Sequence, residues 1–364
     1  MKRPQISFIA QFPPPIHGLS KAVETLYDSS LNRVFLFSKI DITSNRSIFK
    51  NLWKILFDES DLYYFTISQT KGGNWRDLLI LKLLQWKKRK CLIHLHGGYY
   101  RVLIDEKCGK LQRRLNYHAI KNLSGCIVLG NSLRKIFQGM SADEKIYVVP
   151  NCVDNQYMLS LVFKEKKIID MMSMDRVEIL YLSNFIPTKG YREVLHLAYL
   201  AKKNNCTWMH FNFAGKFFDM EEEKYFRDYV AEYRLDEYVT YHGIVSGKRK
   251  NDLLRKCNLF ILLTNYPNEG QPISILEAMG NAMAIVTTNH AGIPDIVKDK
   301  VNGLVVDKTQ IDITGIYNYI EQLWKNRQMF QQVCQTNYLL VREKYTEQQY
   351  IKNMERIFNQ VLNH

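Results

Sequence analysis

The sequence predicts an α/β protein of two domains, each a parallel sheet flanked by helices. Three observations carry that prediction. Short β-branched or aromatic runs alternate with longer amphipathic stretches along both halves of the chain. At 364 residues the chain is too long for one ordinary core and long enough for two. Hydrophobic residues make up 46% and aromatics 12%, which supplies apolar surface for both cores and excludes a disordered chain.

The elements follow in order. Residues 6–11 form an apolar strand closed by the prolines at 13–15, too short for the core of a signal peptide. A helix over 20–27 follows, then a strand over 62–67, a helix over 74–87 and a strand over 90–96. Helix 107–122, strand 125–130, short helix 132–137 and strand 145–149 complete the first half, which ends at Pro150-Asn151. The second half repeats the alternation. Strands fall at 178–183, 208–214, 239–242, 259–263, 284–288 and 303–306. Helices fall at 191–203, 221–233, 248–256, 274–282 and 293–298, with further helices to the end. Strands alternating with helices give parallel sheets. The expected domains are therefore 1–160 and 177–345. A Lys- and Met-rich linker without clear period spans 161–176, and a C-terminal helix at 346–364 packs back on the first domain. No window approaches 18 uninterrupted apolar residues, so no bilayer span is expected.

Charge is placed unevenly. Residues 1–172 hold 27 Lys/Arg against 14 Asp/Glu, a net of +13 out of the chain's +14. The densest part, 71–114, has 12 basic and 3 acidic residues. Three readings stand beside each other: a soluble face tuned against aggregation, an anionic membrane surface or anionic acceptor, and nucleic acid. Helix 74–87 mixes Trp75, Leu78, Leu79, Leu81, Leu83, Leu84 and Trp86 with Lys and Arg, which suits an interfacial element or a core helix with one exposed flank. Seven cysteines stand singly with no Cys-x-x-Cys, which points to reduced thiols in a cytosolic protein.

In open parallel sheets, ligands bind beyond the carboxyl ends of the strands, so chemistry is sought in the residues after each strand. The most informative segment is 268–279, NEGQPISILEAM. It places Glu269 in a loop after a strand and Glu277 eight residues on, in the following helix. Spacing alone is weak, since Glu347 and Glu355 repeat it. The context separates the first pair: a Gly-Gln-Pro loop exposes backbone N–H groups, and a helix start adds its positive dipole end, a ready seat for a diphosphate. No Asp-x-Asp, His-Glu-x-x-His, Gly-x-Gly-x-x-Gly or Walker loop occurs, so metal independence is the consistent expectation.

The segment 269–297, EGQPISILEAMGNAMAIVTTNHAGIPDIV, resembles the signature of glycosyltransferase family 4, the retaining glycosyl transferases of group 1. So do ILYLSNFIPTKG at 179–190, VVPNCVD at 148–154, HLHGG at 94–98 and PPPIHGLS at 13–20. The five motifs are spread in order over nearly the whole chain. The resemblance implies the GT-B architecture: two facing Rossmann-like domains with parallel sheets and an interdomain cleft, acceptor on the first domain and donor on the second.

The resemblance also implies roles. Lys189 would neutralise the donor diphosphate. Asn184 stands where the family often has Arg, so one of two cations is missing there. Glu277 would accept from the ribose diol, Glu269 would hold donor-sugar hydroxyls, and backbone groups of Gly270, Gln271, Pro272 and Ile273 would complete the cradle. His96 would face the donor sugar across the cleft, with His94 in packing or orientation. Gly18 would let backbone approach phosphate, and His17 could touch the acceptor. The implied chemistry is front-face transfer, in which the leaving diphosphate takes the acceptor proton and the protein positions groups and stabilises charge. The expected partners are a nucleotide-sugar donor, with UDP as its nucleotide, a saccharide or lipid-linked acceptor, and an anionic membrane surface; no nucleic acid and no cofactor are expected. The expected setting is cell-surface polysaccharide assembly, on the cytoplasmic face of the membrane. Two alternatives are a nucleotide-sugar epimerase of the same fold and a non-catalytic subunit that binds glycan or another transferase.

Overall fold

The computed structural model describes residues 3–14 and 18–363. The chain divides into two compact units. The first holds Met1–Cys152, Asn268–Gln271 and Glu347–His364, and the second Val153–Pro267 and Pro272–Thr346.

In the first unit the elements run β1 (Gln5–Ala10), α1 (Gly18–Tyr27), β2 (Leu36–Asp41), α2 (Ile48–Phe57), β3 (Leu62–Thr66), α3 (Lys71–Trp86) and β4 (Lys90–His94). The one-turn α4 (Tyr100–Val102), α5 (Lys110–Lys121), β5 (Gly125–Val128) and β6 (Ile146–Val148) follow. The described strands form one sheet in the order β2-β1-β3-β4-β5-β6, every neighbouring pair parallel. Strand β3 is buried at all five positions, as a strand covered on both faces must be.

The second unit begins with α6 (Leu161–Asp170), then β7 (Val177–Leu182), α7 (Tyr191–Lys203), β8 (Met209–Ala214), α8 (Met220–Glu232), β9 (Val239–Tyr241), α9 (Gly247–Lys256) and β10 (Leu259–Leu262). It continues with α10 (Ile273–Gly280), β11 (Ala284–Thr288), α11 (Ile293–Ile296), β12 (Gly303–Val306), α12 (Ile313–Lys325) and α13 (Arg327–Lys344). Its sheet is parallel throughout, in the order β12-β11-β10-β7-β8-β9. Local chemistry sets the helix starts. Asp219 caps α8 by accepting from Glu221 N at 2.9 Å, and Glu221, Glu222 and Glu223 sit against the positive end of that helix.

Helix α14 (Glu347–Asn363) closes the chain and folds with the first unit. Its Tyr350, Met354, Ile357, Phe358 and Val361 enter that unit's core, where the Phe358 ring lies edge-on to Phe35 and Tyr64.

Two segments differ from the sequence expectation. Residues 28–61, left without elements, hold β2 and α2. The stretch 161–176, read as a linker, holds α6, which folds with the second unit; the units divide between Cys152 and Val153 rather than near residue 160. Ser160 caps α6, and Lys167 Nζ donates to the carbonyls of Leu254, Cys257 and Asn281. The inward contacts of α6 are thus made largely by lysines, among them the buried Lys164, with Ile168 the apolar contact beside them. Apolar periodicity cannot register such a helix. Among the described residues no helix is long and apolar enough to cross a membrane.

Candidate functional site

In the second unit the strand order reverses between β7 and β10, because the chain builds outward from that pair in both directions. Loops leaving the carboxyl ends of two such strands diverge and leave a crevice. Here both loops are laced together at their base. Asn265 N donates to Thr188 O at 2.8 Å, and Thr264 Oγ1 to the same carbonyl at 3.3 Å. Gly190, at φ +81°, ends the turn Pro187–Lys189; a Cβ there would stand 2.3 Å from Leu263 O, so only glycine lets the loops approach this closely. That approach carries Lys189 over the Tyr266 ring, with Nζ 4.5 Å from its centroid. Lys189 and Tyr266 therefore leave the switch point together. Asn184 lies in the same loop; its residue is exposed, and its carbonyl accepts from Tyr181 Oη at 3.0 Å.

Helix α10 starts at Ile273, after Pro272 in the N-cap position, where no side chain caps the first turn. Glu277 lies one turn in and is buried. Its Oε1 accepts from Lys250 Nζ of α9 at 2.6 Å, and the same ammonium sits 4.1 Å from the Tyr157 ring centroid. Burial drives the Glu277 carboxyl above its ordinary pKa; Lys250 opposes this and Asp154 adds to it. One of the two oxygens expected to grip a diol is thus already engaged by a cation. Lys250 was missed because it sits in the basic run 248–250, which reads as a solvated face. Its spacing to the buried Leu253 and Leu254 puts it on the inward side of α9.

In the first unit, β4 delivers His94 and His96. His94 is fully buried; its Nδ1 shares a 2.7 Å hydrogen bond with Tyr64 Oη, and its ring lies 3.9 Å from the half-buried His96 ring. Burial, then the neighbouring His96, hold the His94 pKa well below 6.5, so His94 is neutral at pH 7. The segment 268–271 folds beside this strand end. A Cβ on Gly270 would come within 2.3 Å of His96 O, so the glycine allows backbone to lie on backbone. Glu269 is buried next to it.

Gln271 is held on all sides within the first unit. Its Oε1 accepts from Asn151 N at 2.8 Å, its Nε2 donates to Leu129 O at 3.1 Å, and Asn151 Nδ2 donates to its carbonyl at 2.9 Å. The side chain ties together the segments after β5 and β6 and is spoken for in that role. Asn151 was not singled out in the sequence, although it stands in the quoted VVPNCVD segment. Gly18 opens α1 and is exposed. His17 lies outside the described residues.

The sequence-predicted residues thus fall into two groups. His96, Glu269, Gly270, Gln271 and Gly18 belong to the first unit; Asn184, Lys189, Pro272, Ile273 and Glu277 belong to the second. Among the described residues, no group of three or more His, Cys, Asp or Glu side chains is arranged to hold a metal ion.

Residues 164–338 match the family described as glycosyl transferases group 1. These residues are similar to a group 1 glycosyltransferase domain. The matched segment contains the whole β7–β12 sheet, and with it Lys189, Lys250 and Glu277. A 41.2 kDa uncharacterized protein in the cps region of Klebsiella pneumoniae is 24% identical over 281 residues, covering 75% of this chain and 73% of that one. The putative colanic acid biosynthesis glycosyltransferase WcaL of Salmonella typhimurium is 27% identical over 88 residues, 23% of this chain and 22% of that protein. Among solved structures, Anabaena HepE in complex with UDP aligns over 98% of this chain and 100% of that one, with TM-score 0.75 and 14% identity. The likeness extends beyond the matched segment to both units, and the fold is the two-domain α/β GT-B architecture.

Proposed function

We propose that this glycosyltransferase moves a sugar from a UDP-linked donor to a saccharide or lipid-linked acceptor, with retention of configuration, in the assembly of a cell-surface polysaccharide. The observation that carries the reading is the pair of laced loops at the β7/β10 switch point, which presents Lys189 where a parallel sheet takes its ligand. Lys189 would meet the diphosphate, with the uncapped first turn of α10, around Pro272 and Ile273, adding N–H groups and dipole. Glu277 and Lys250 would act as a pair on the nucleoside, the carboxylate accepting from ribose hydroxyls and the ammonium holding it ionised.

Glu269 and His96 would serve the sugar, and Gly18 the close approach of backbone to phosphate. Asn184, where an arginine is expected, would leave Lys189 with more of the diphosphate charge. We propose further that no metal ion is required, because the cation and helix end supply the counter-charge, and that the leaving diphosphate takes the acceptor proton. The bound UDP and UDP-glucose of HepE support the choice of donor. The cps-region and colanic acid relatives support the polysaccharide setting. A place on the cytoplasmic face of the membrane would suit a lipid-linked acceptor.

The test is thermal denaturation with UDP and UDP-sugars in the presence of EDTA. A ligand that binds the native state raises its stability with concentration, by about 2.7 kcal/mol at a hundredfold excess over Kd. UDP is expected to raise the Tm of the wild type and to lose most of that effect in Lys189→Ala. A shift that needs Mn²⁺, or is unchanged in Lys189→Ala, defeats the assignment. NMR of the first-formed product anomer decides retention.

A further inference from the structure

Helix α2 exposes the side chains that a soluble helix ordinarily hides. Asn51 and Ile55 face inward. Outward, at i, i+4 and i+8, stand Phe49, Trp53 and Phe57, which are 78%, 62% and 68% exposed. The Trp53 and Phe57 rings stack on each other at 5.3 Å. Lys50 and Lys54 form an exposed stripe one residue round the helix.

Helix α3 packs beside α2 and repeats the pattern, with Trp75, Leu79, Lys82 and Trp86 all exposed along one flank. The two helices are locked at one end, because Lys87 Nζ, just past α3, donates to the carbonyls of Ile55, Leu56 and Asp58 at 2.9, 2.7 and 2.6 Å. The aromatic stripe is therefore held in place.

An exposed apolar face of this size is unfavourable in water and marks an interaction surface. Its charge identifies the occupant. Residues 48–90 carry nine Lys/Arg against four Asp/Glu. Of the four, Asp77 is buried against Arg76. Lysine is depleted at protein–protein contacts, whereas lysines beside Trp and Phe suit a bilayer surface, where aromatic rings enter the acyl boundary and ammonium groups reach lipid phosphates.

We propose that the α2–α3 face docks on an anionic lipid bilayer, with Phe49, Trp53, Phe57 and Trp86 inserted and Lys50, Lys54 and Lys82 at the headgroups. This deepens the membrane side of the function proposed above, and its test reads binding without turnover.

The full-length protein is sedimented with vesicles of phosphatidylcholine, with and without phosphatidylglycerol. Binding is expected only with the anionic lipid and is expected to weaken with salt. Phe49→Ser/Trp53→Ser/Phe57→Ser should lower it at least about tenfold, and Lys50→Ala/Lys54→Ala by about fivefold for each lysine removed. All five side chains are exposed, so both variants should keep the wild-type Tm and its shift with UDP. Equal binding to both vesicle types, no binding, or undiminished binding by the triple serine variant overturns the proposal. Self-association abolished by that variant, with no vesicle binding, makes the face a protein interface and overturns it as well. Loss of the UDP shift in wild type and variants alike would instead sink the donor assignment and leave the docking result standing.

Discussion

Lys250 and Glu277 show how one ion pair changes the meaning of a site. Both side chains are largely withdrawn from water, at 17% and 6% exposure, and their contact is 2.6 Å. A buried carboxylate deprived of its partner retains the full cost of desolvation, whereas removal of both partners leaves no uncompensated charge. Lys250→Met is therefore expected to destabilise the protein by about 3 kcal/mol and to push the Glu277 carboxyl further up. The double variant Lys250→Met/Glu277→Gln should recover a large part of that loss. Urea unfolding of the four proteins in the cycle measures the coupling, and additive single losses would mean that the pair is energetically independent. The place of Glu277, in a helix that follows a Gly-Gln-Pro loop, was legible in the sequence. Lys250 was not, because a lysine facing inward has the same letter as one facing water.

Elements were legible where burial is uniform. The runs LFIL of β10 and AIVTT of β11 are buried at every position, and their limits in the structure lie within one residue of the sequence expectation. Legibility failed where a helix turns apolar side chains outward, as in α2, or lysines inward, as in α6.

The edge of the second sheet is a third case, since polar residues on one face of β7 and β8 are buried there in a network that reaches the half-buried Thr240 of β9. Glu178 Oε2 accepts from Asn212 Nδ2 at 2.7 Å and pairs with His210 Nδ1 at 2.9 Å; His210 Nε2 meets Thr240 Oγ1 at 3.1 Å. Burial alone would raise the Glu178 carboxyl, but His210, Asn212, Arg176 and Lys256 together hold it far below the usual carboxylate range. A depressed folded-state pKa gives stability that is present above the unfolded value of about 4.3 and is lost as pH falls toward the folded one. The stability advantage of wild type over Glu178→Gln should thus be flat above about pH 5 and shrink on acidification below about 4.3. Urea midpoints from neutral to acid pH measure it, and parallel curves would show that the network does not depend on the charge.

At the scale of the whole molecule, the two sheets have the same layers but differ in order, and the order says where each can take a ligand. In the second unit, the reversal between β7 and β10 brings Lys189 and Tyr266 out together at the strand ends, while the first unit carries the basic excess and the aromatic face of α2. If the nucleotide is held at the switch point, its free energy of binding must appear as resistance to local opening of the backbone around it. UDP near a hundred times Kd should slow amide exchange in the β7 loop, at Phe185 to Tyr191, and in the β10 loop, at Asn265 and Tyr266, by up to about a hundredfold. The exposed amides at the ends of α2 should be unaffected. The same experiment on Lys189→Ala should show little protection at matched UDP. Protection confined to the first unit, or equal in the two proteins, would place the nucleotide elsewhere. The laced loops would then be a packing device that holds β7 and β10 in register.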